Sequence, residues 1–258
     1  MATFGASGRC RPDWAMAEPT RAGVDPCSLV LLVRHAQASV PDGRGRYVSE
    51  GPVPLSERGL GEARGLAASL QGLRADRLIS SDMQRAVETA EVIAAALDLD
   101  PHPDRAFREV NCGAFEGASL ERLLDSHPEY VSWVEAGFKQ RFASEQRHFP
   151  ADLRFPGGES VLDMAGRAIP AFLDVCAAPA GTVTVIVSHA WVISVILCHV
   201  LGLGPESYYR FGMPNAGVSV ARVGVDGRGM LDASGWLVPL ERLAGSSLGA
   251  RSAGVRRS

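Results

Sequence analysis

The pattern of apolar and polar positions begins with an unbroken apolar run, Leu29 to Val33, which is followed directly by Arg34 and His35. A short run without polar interruptions is typical of a strand that is buried on both faces of a parallel sheet. In such sheets, ligands bind beyond the carboxyl ends of the strands. We therefore expect Arg34 and His35 to lie at a binding crevice.

Strands and amphipathic helices alternate along the rest of the chain. This alternation is typical of right-handed βαβ units. The expected fold class is therefore α/β, a three-layer α/β/α arrangement around a mostly parallel central sheet. Besides the first strand, strands are predicted at 77–80, 182–188 and 217–223, and helices at about 56–71, 83–97, 161–175 and 191–201.

Individual residues set the expected helix boundaries. Ser56 should cap the first helix, and either Ser81 or Asp82 should cap the second, because short polar side chains accept hydrogen bonds from a helix's first N–H groups. Pro170 falls within the third helix and should kink or break it, since proline has no backbone N–H.

The domain organisation follows from composition along the chain. Residues 1–28 lack an apolar core segment and are predicted to be a disordered extension, and residues 245–258 are rich in Gly, Ser and Arg and are predicted to be a flexible tail. One domain should span 29–244. Within it, residues 118–155 are predicted to form a helical insertion over the site.

Composition excludes several classes of function. The net charge of −3 gives no general attraction to nucleic acid or to acidic membranes. The apolar stretch 182–204 is interpreted as strand, turn and helix rather than as a membrane span, because polar residues interrupt it. The five cysteines are scattered without a CxxC pair, which argues against a zinc site or a disulfide framework and favours the cytoplasm.

The residues expected at the strand ends suit phosphoryl transfer. Two histidines, His35 and His189, follow strands, Arg34 and Arg85 should lie near them, and Glu109 lies on a glycine-rich loop. Arginine binds phosphate through paired hydrogen bonds, a neutral imidazole can attack phosphorus, and a carboxylic acid can protonate the leaving oxygen. Because the arginines supply the compensating charge, we expect no metal and no cofactor.

Several stretches carry a recognisable combination of motifs, in a fixed order. The stretches are Leu32-Val33-Arg34-His35-Ala36-Gln37, Ser80-Ser81-Asp82-Met83-Gln84-Arg85-Ala86 with Thr89-Ala90, residues 108–117 around Glu109, Val187-Ser188-His189-Ala190 and, as a softer match, Gly157-Gly158-Glu159-Ser160. Together they resemble the histidine phosphatase superfamily, which has the phosphoglycerate-mutase-like fold.

The resemblance implies a role for each matching residue. His35 would be the nucleophile that becomes phosphohistidine, and Glu109 would protonate the leaving group and then activate water. Ala36 and Ala190 stand where the family usually has glycine, and Pro52-Val53-Pro54 replaces its usual acidic turn. The implied phosphoryl-binding residues are Arg34, Arg85 and His189, with Gln37 and Ser39 as further polar contacts.

The predicted function is metal-independent hydrolysis of a small phosphorylated metabolite through a phosphohistidine intermediate. Two alternatives stay open at this point: a phosphotransferase of the phosphoglycerate mutase type and a catalytically inactive phosphate-binding module. A protein-phosphohistidine phosphatase is less favoured, because the insertion at 118–155 is unusual for that class. The sequence leaves open whether the chain forms a homodimer.

Overall fold

The central feature of the computed structural model is a six-stranded sheet. The model describes residues 27–40, 51–118, 125 and 151–236. The strands are β1 (Ser28–Arg34), β2 (Arg77–Ser80), β3 (Pro101–Pro103), β4 (Val183–Ser188), β5 (Val218–Val223) and β6 (Gly229–Trp236). Their order is β3-β2-β4-β1-β5-β6. The first four pair in parallel, whereas β5 pairs antiparallel with both β1 and β6.

Helices cover both faces of this sheet, as the sequence predicts for a three-layer fold. The helices are α1 (Glu57–Ser69), α2 (Gln84–Leu97), α3 (Val161–Cys176) and α4 (Ala190–Val200). Strand β1 shows the layering: Val30 and Leu32 pack in the cluster that contains α3 and α4, and Leu29, Leu31 and Val33 pack in the cluster that contains α1 and α2. The continuous apolar run of β1 therefore serves two cores at once.

The sequence patterns missed two strands, and both lie at an edge of the sheet. Strand β3 has only three residues, of which Pro101 and Pro103 cannot donate to a ladder. Strand β6 contains Gly229 and Gly235 and pairs with β5 through irregular register. Edge strands bury less apolar surface, so they carry a weaker periodic signal.

The predicted N-cap of the first helix is confirmed, but the prediction for the second helix is wrong. The Ser56 hydroxyl accepts the Gly59 N–H at the start of α1. Helix α2 instead has Met83 as its N-cap, with no side-chain cap bond. The Ser81 hydroxyl accepts the Met83 N–H before the helix begins, and the Asp82 carboxylate binds Arg108 through two hydrogen bonds of 2.6 and 2.7 Å.

The expected break at Pro170 is also wrong. Helix α3 runs from Val161 to Cys176 with Pro170 inside it. Pro170 lies on the exposed face of α3, while Met164, Ala168 and Phe172 are fully buried on the other face. Burial of that apolar face on both sides of the proline holds the helix together despite the missing hydrogen bond.

Some expectations fall outside the described residues. These are the N-terminal extension up to residue 26, most of the helical insertion expected at 118–155, and the C-terminal tail. Ser28 belongs to β1 rather than to the extension. Among the described residues, no helix is both long enough and apolar enough to span a bilayer.

Candidate active site

The carboxyl ends of β1, β4 and β2 meet in register at the centre of the sheet. Arg34 is paired with Ser188, and Ser80 is paired with Val187. The next backbone groups extend this register, because the His35 N–H donates to the Ser188 carbonyl at 2.9 Å and the Ser81 N–H donates to that of Val187 at 2.8 Å. The sheet thereby brings the two predicted histidines together: the ring centroids of His35 and His189 are 5.0 Å apart.

The His35 imidazole is held as a neutral group with one defined tautomer. Its Nδ1 lies 2.8 Å from the Ala36 carbonyl oxygen, which can only accept, so Nδ1 carries the proton and Nε2 keeps its lone pair. Burial, followed by the positive charges of Arg85 and Arg34, lowers the pKa of His35 from 6.5 to about 3. A lone pair on a buried, uncharged imidazole is suited to nucleophilic attack.

Helix α2 fixes the backbone that follows His35. The Ala36 N–H donates to the Thr89 hydroxyl at 3.1 Å, and this hydroxyl donates to the Arg85 carbonyl at 2.7 Å. Among the described residues, the non-glycines with positive φ are Asp98 and Ala216. Ala36 therefore occupies an ordinary backbone conformation, and its methyl group replaces the family's usual glycine without strain.

His189 is the N-cap residue of α4 and is completely buried. Its Nε2 lies 2.9 Å from the Ser81 hydroxyl, which also accepts the Met83 N–H. The Nδ1 atom has no hydrogen-bond partner among the described residues. Burial lowers the pKa of His189 well below its ordinary value, and Arg85 and His35 lower it further. This second imidazole is therefore neutral, with one ring nitrogen available to a ligand.

Two arginines place positive charge beside these neutral rings. The Arg34 Nη1 donates to the Met213 carbonyl at 2.6 Å, and its buried Nε has no hydrogen-bond partner among the described residues. Arg85 is 2% exposed. Burial lowers the pKa of both guanidinium groups, and the nearby Glu109 carboxylate opposes that effect. Two largely buried arginines beside one carboxyl group form an environment that favours a bound anion.

Burial shifts the pKa of Glu109 in the opposite direction, upwards. Its Oε1 accepts the Val110 N–H at 3.1 Å, and its Oε2 accepts the Trp191 N–H in the first turn of α4 at 3.4 Å. Burial raises the pKa of Glu109, and this effect outweighs the two hydrogen bonds and the charges of Arg85 and Arg34. A carboxyl group with a raised pKa retains its proton closer to neutral pH, as a general acid requires.

Close backbone packing explains the glycines around Glu109. Gly113 has a φ of +53°, and a Cβ there would overlap the Pro156 carbonyl oxygen. A Cβ at Gly158 would overlap the Asn111 carbonyl oxygen. Two short hydrogen bonds join the same segments, both at 2.8 Å: Ala114 N–H to Pro156 O and Glu159 N–H to Asn111 O. The Gly-Gly-Glu-Ser turn is therefore packed directly against the loop that carries Glu109.

Sequence reasoning missed Arg167, which is the main tether of this loop. Arg167 forms a bidentate ion pair with Glu159, at 2.8 Å for both contacts, and donates to backbone carbonyls of the Glu109 loop. The Gly-Gly-Glu-Ser match singled out Glu159 but gave no partner for it. In the sequence, Arg167 is simply one of the polar positions of an amphipathic helix, so nothing in the local pattern indicates that it binds the Glu109 loop.

Gln37 and Ser39 occupy different surroundings from the other predicted residues. The Gln37 Oε1 accepts the Ser56 hydroxyl at 3.0 Å, which places this side chain at the N-terminus of α1. Ser39 is exposed, and its N–H donates to the Pro54 carbonyl at 2.8 Å. Their roles as substrate contacts remain predictions.

An open cavity of about 580 Å³ lies beside the site. Met83 and Gln84, which precede Arg85, contribute to its lining, and so does Arg108, which precedes Glu109. The lining includes the Asp82 and Glu88 carboxylates, whereas His35 and His189 are not part of it. The cavity is therefore adjacent to the residues predicted to bind the phosphoryl group rather than formed by them. Within the described ranges, no three His, Cys, Asp or Glu side chains are grouped so as to hold a metal ion.

Comparison with known proteins identifies relatives that cover most of the chain. The family model for the histidine phosphatase superfamily (branch 1) matches residues 30–233. A probable phosphoglycerate mutase GpmB of Yersinia pestis is 32% identical over 210 residues, which is 81% of this chain and 90% of that protein.

Solved structures share the fold. A mycobacterial glucosyl-3-phosphoglycerate phosphatase superposes with a TM-score of 0.68 at 25% identity, covering 81% of this chain and 99% of that one. The α-ribazole phosphatase of Shigella flexneri superposes with a TM-score of 0.66 at 22% identity, covering 81% and 96% of the two chains. The match across residues 30–233 and the 32% identical relative show that this chain belongs to the histidine phosphatase superfamily.

Proposed function

We propose that the protein hydrolyses a phosphomonoester of a small metabolite through a phosphohistidine on His35, without a metal. The observation that carries this proposal is the pairing of a neutral His35, whose Nδ1–H is bound to the Ala36 carbonyl, with a half-buried carboxyl group of raised pKa at Glu109. A nucleophile and an acid are thus poised in complementary protonation states beside two arginines.

In the first step, the His35 Nε2 lone pair attacks phosphorus and the bond from phosphorus to the ester oxygen breaks. The Glu109 carboxyl group gives its proton to that departing oxygen. Arg34 and Arg85 donate hydrogen bonds to the phosphoryl oxygens, where negative charge is concentrated. His189 does the same through Nδ1–H, in the neutral tautomer whose Nε2 accepts the Ser81 hydroxyl proton. The Ala36 carbonyl stabilises the positive charge that develops on the imidazole through its Nδ1–H.

In the second step, the Glu109 carboxylate takes a proton from water, and the water oxygen attacks phosphorus. The P–N bond breaks and its electron pair returns to His35 Nε2. Inorganic phosphate leaves, and Glu109 is again protonated for the next cycle. The same carboxyl group therefore acts first as acid and then as base.

The first test is phosphate release from p-nitrophenyl phosphate and a panel of small phosphomonoesters in the presence of EDTA. We expect activity in the unaltered protein and none in the His35→Ala variant, because the variant has no atom that can accept the phosphoryl group. A requirement for metal would contradict the metal-free mechanism. Phosphate release by His35→Ala at a near wild-type rate would contradict the phosphohistidine.

The mutase alternative is favoured by one observation, the 32% identity with a relative named as a probable phosphoglycerate mutase. Both reactions would share the phosphohistidine, and they differ in whether water or a second substrate oxygen receives the phosphoryl group. The discriminating assay compares interconversion of phosphoglycerates, primed with a bisphosphoglycerate, with release of phosphate. Interconversion that is faster than release would replace hydrolysis by the mutase reaction.

A further inference from the structure

We propose that Arg167 and Glu159 are a positioning pair that holds Glu109 in place for proton transfer. The inference rests on the acid role of Glu109 proposed above. Glu159 belongs to the Gly-Gly-Glu-Ser match, to which the proposed mechanism gives no part, and Arg167 is one turn of α3 beyond Asp163, the residue that closes the α3 capping box. Neither residue needs to touch substrate for this role.

The Arg167 guanidinium binds the Glu109 loop mainly through backbone carbonyls. It makes five hydrogen bonds, all between 2.7 and 2.9 Å. Two go to the Glu159 carboxylate and the other three go to backbone oxygens within four residues of one another. The five are Nε to Glu159 Oε1, Nη1 to Ala106 O and to Arg108 O, and Nη2 to Glu109 O and to Glu159 Oε2.

Glu159 completes the clamp on the other side of Glu109. Its Oε2 also accepts the Asn111 N–H at 3.0 Å. The pair therefore fixes the carbonyls of Arg108 and Glu109 and the N–H of Asn111, so the backbone is held both before and after the Glu109 side chain. Arg167 and the neighbouring Asn111 N–H lower the pKa of Glu159, which keeps its carboxylate charged for these bonds despite burial.

The loop needs such a clamp because it has little regular structure of its own. It consists of the short 3₁₀ turns Arg105–Phe107 and Gly113–Phe115 with irregular backbone between them. Its carbonyls therefore have few partners from a helix or a strand ladder. Proton transfer requires the carboxyl oxygen to be within hydrogen-bond reach of the leaving oxygen, and a displacement of about 1 Å can cost on the order of 100-fold in rate.

The planar fork of arginine is essential to this arrangement. Lysine would preserve the positive charge, but a single ammonium group cannot reach Glu159 and three carbonyls in these directions. Arg167→Lys therefore separates geometry from charge. The positive charge of Arg167 also contributes, weakly, to the lowered pKa of His189. Lysine retains that charge, so the substitution should leave the protonation of His189 unchanged.

The experiment measures kcat/KM of Arg167→Lys on esters whose leaving groups differ in basicity. For an alkyl phosphate, which needs a proton on its leaving oxygen, we expect a loss on the order of 100-fold. For p-nitrophenyl phosphate, whose leaving group needs little protonation, the loss should be much smaller. In the Glu109→Gln background the substitution should add almost nothing, because the acid that it positions is already absent.

A matched control is Arg77→Lys. Arg77 is another half-buried arginine that reaches α3, where its Nη2 donates to the Val175 carbonyl at 2.8 Å, but it begins β2 at the end of the sheet away from the site. We expect no dependence on the leaving group there. If Arg167→Lys fails to fold, Glu159→Gln removes the charge of the partner while keeping an oxygen for Asn111, and the same pattern is expected.

The outcomes are distinct. Equal losses on both esters, or losses that multiply with those of Glu109→Gln, would overturn the positioning role while leaving the proposed function intact. Absence of phosphate release by the unaltered protein would overturn the proposed function and this inference with it.

Discussion

At the scale of single residues, burial has opposite effects on the two groups that would move protons and phosphate. It lowers the pKa of His35 and raises the pKa of Glu109, since burial disfavours the charged form of either group. One location thus shifts both pKa values in the directions that the proposed nucleophile and the proposed acid require. Two positive charges, Arg34 and Arg85, deepen the first effect and oppose the second without reversing it.

The acid role of Glu109 predicts a dependence on leaving group and on pH. Glu109→Gln should lose about 100- to 10,000-fold in the chemical step for alkyl phosphates and far less for p-nitrophenyl phosphate. Because the raised pKa of Glu109 sets where the acid loses its proton, the alkaline limb of the alkyl-phosphate rate profile should vanish in the variant. The pH dependence of kcat/KM from pH 5 to 9 tests this, because kcat/KM excludes the later attack of water on the phosphohistidine, in which Glu109 would act for every ester. An unchanged alkaline limb would contradict the assignment.

Sequence reasoning succeeded for residues whose position follows from a strand end and failed for those that depend on tertiary contacts. Arg34 ends β1, and His35 and His189 directly follow β1 and β4, so a parallel sheet brings them together regardless of detail. Arg167 contacts the Glu109 loop only because α3 packs over that face of the sheet. No local pattern encodes a bond between positions 58 residues apart.

At the scale of elements, helix boundaries set by local contacts were predicted correctly, and those that depend on long-range contacts were not. The Ser56 cap depends on a bond to a residue three positions away and is confirmed. Asp82 was one of the two residues expected to cap α2, the other being Ser81. Its carboxylate instead binds Arg108, because a bidentate bond to arginine is worth more than one neutral cap bond. Long-range charge pairing therefore overrides a local preference.

Helix α1 contains three glycines at which the same substitution, glycine to alanine, should change the free energy of unfolding in different directions. It should lower this free energy at one position and raise it at the other two. Gly59 is buried, and a Cβ there would overlap the Gln37 carbonyl oxygen, two residues after His35. Gly61 and Gly65 are exposed on the same helix, with nothing within 4 Å of an added Cβ. We expect Gly59→Ala to lower the free energy of unfolding by about 1–3 kcal/mol through overpacking.

The controls for this prediction lie within α1 itself. Gly61→Ala and Gly65→Ala should each raise the free energy of unfolding by about 0.5–1 kcal/mol, because alanine loses less backbone entropy in a helix than glycine. Urea unfolding of the three variants measures both signs. Stabilisation by Gly59→Ala would show that α1 is not packed against the Gln37 backbone.

At the scale of the whole molecule, the site is assembled at a cost to stability in acid. His35 and His189 are buried as neutral rings. Below pH 6.5 the unfolded chain therefore binds protons at these two positions that the folded chain does not bind. Glu109 acts in the opposite direction, since its raised pKa makes the folded chain hold a proton that the unfolded chain releases. Two histidines oppose one carboxyl group, and the net effect favours unfolding as the pH falls.

This balance predicts the pH dependence of stability. The pKa of His35 is 6.5 when unfolded and about 3 when folded, so its contribution is complete above pH 6.5 and declines between those two values as the pH falls. The decline is about 1.4 kcal/mol per pH unit for each such group. His35→Asn keeps a donor for the Ala36 carbonyl and removes the titrating ring, so its free energy of unfolding should fall less steeply than that of the unaltered protein. Urea unfolding from pH 7.5 to 4.5 measures both slopes, and parallel slopes would mean that His35 accepts a proton in the folded state and would remove the basis for its role as a neutral nucleophile.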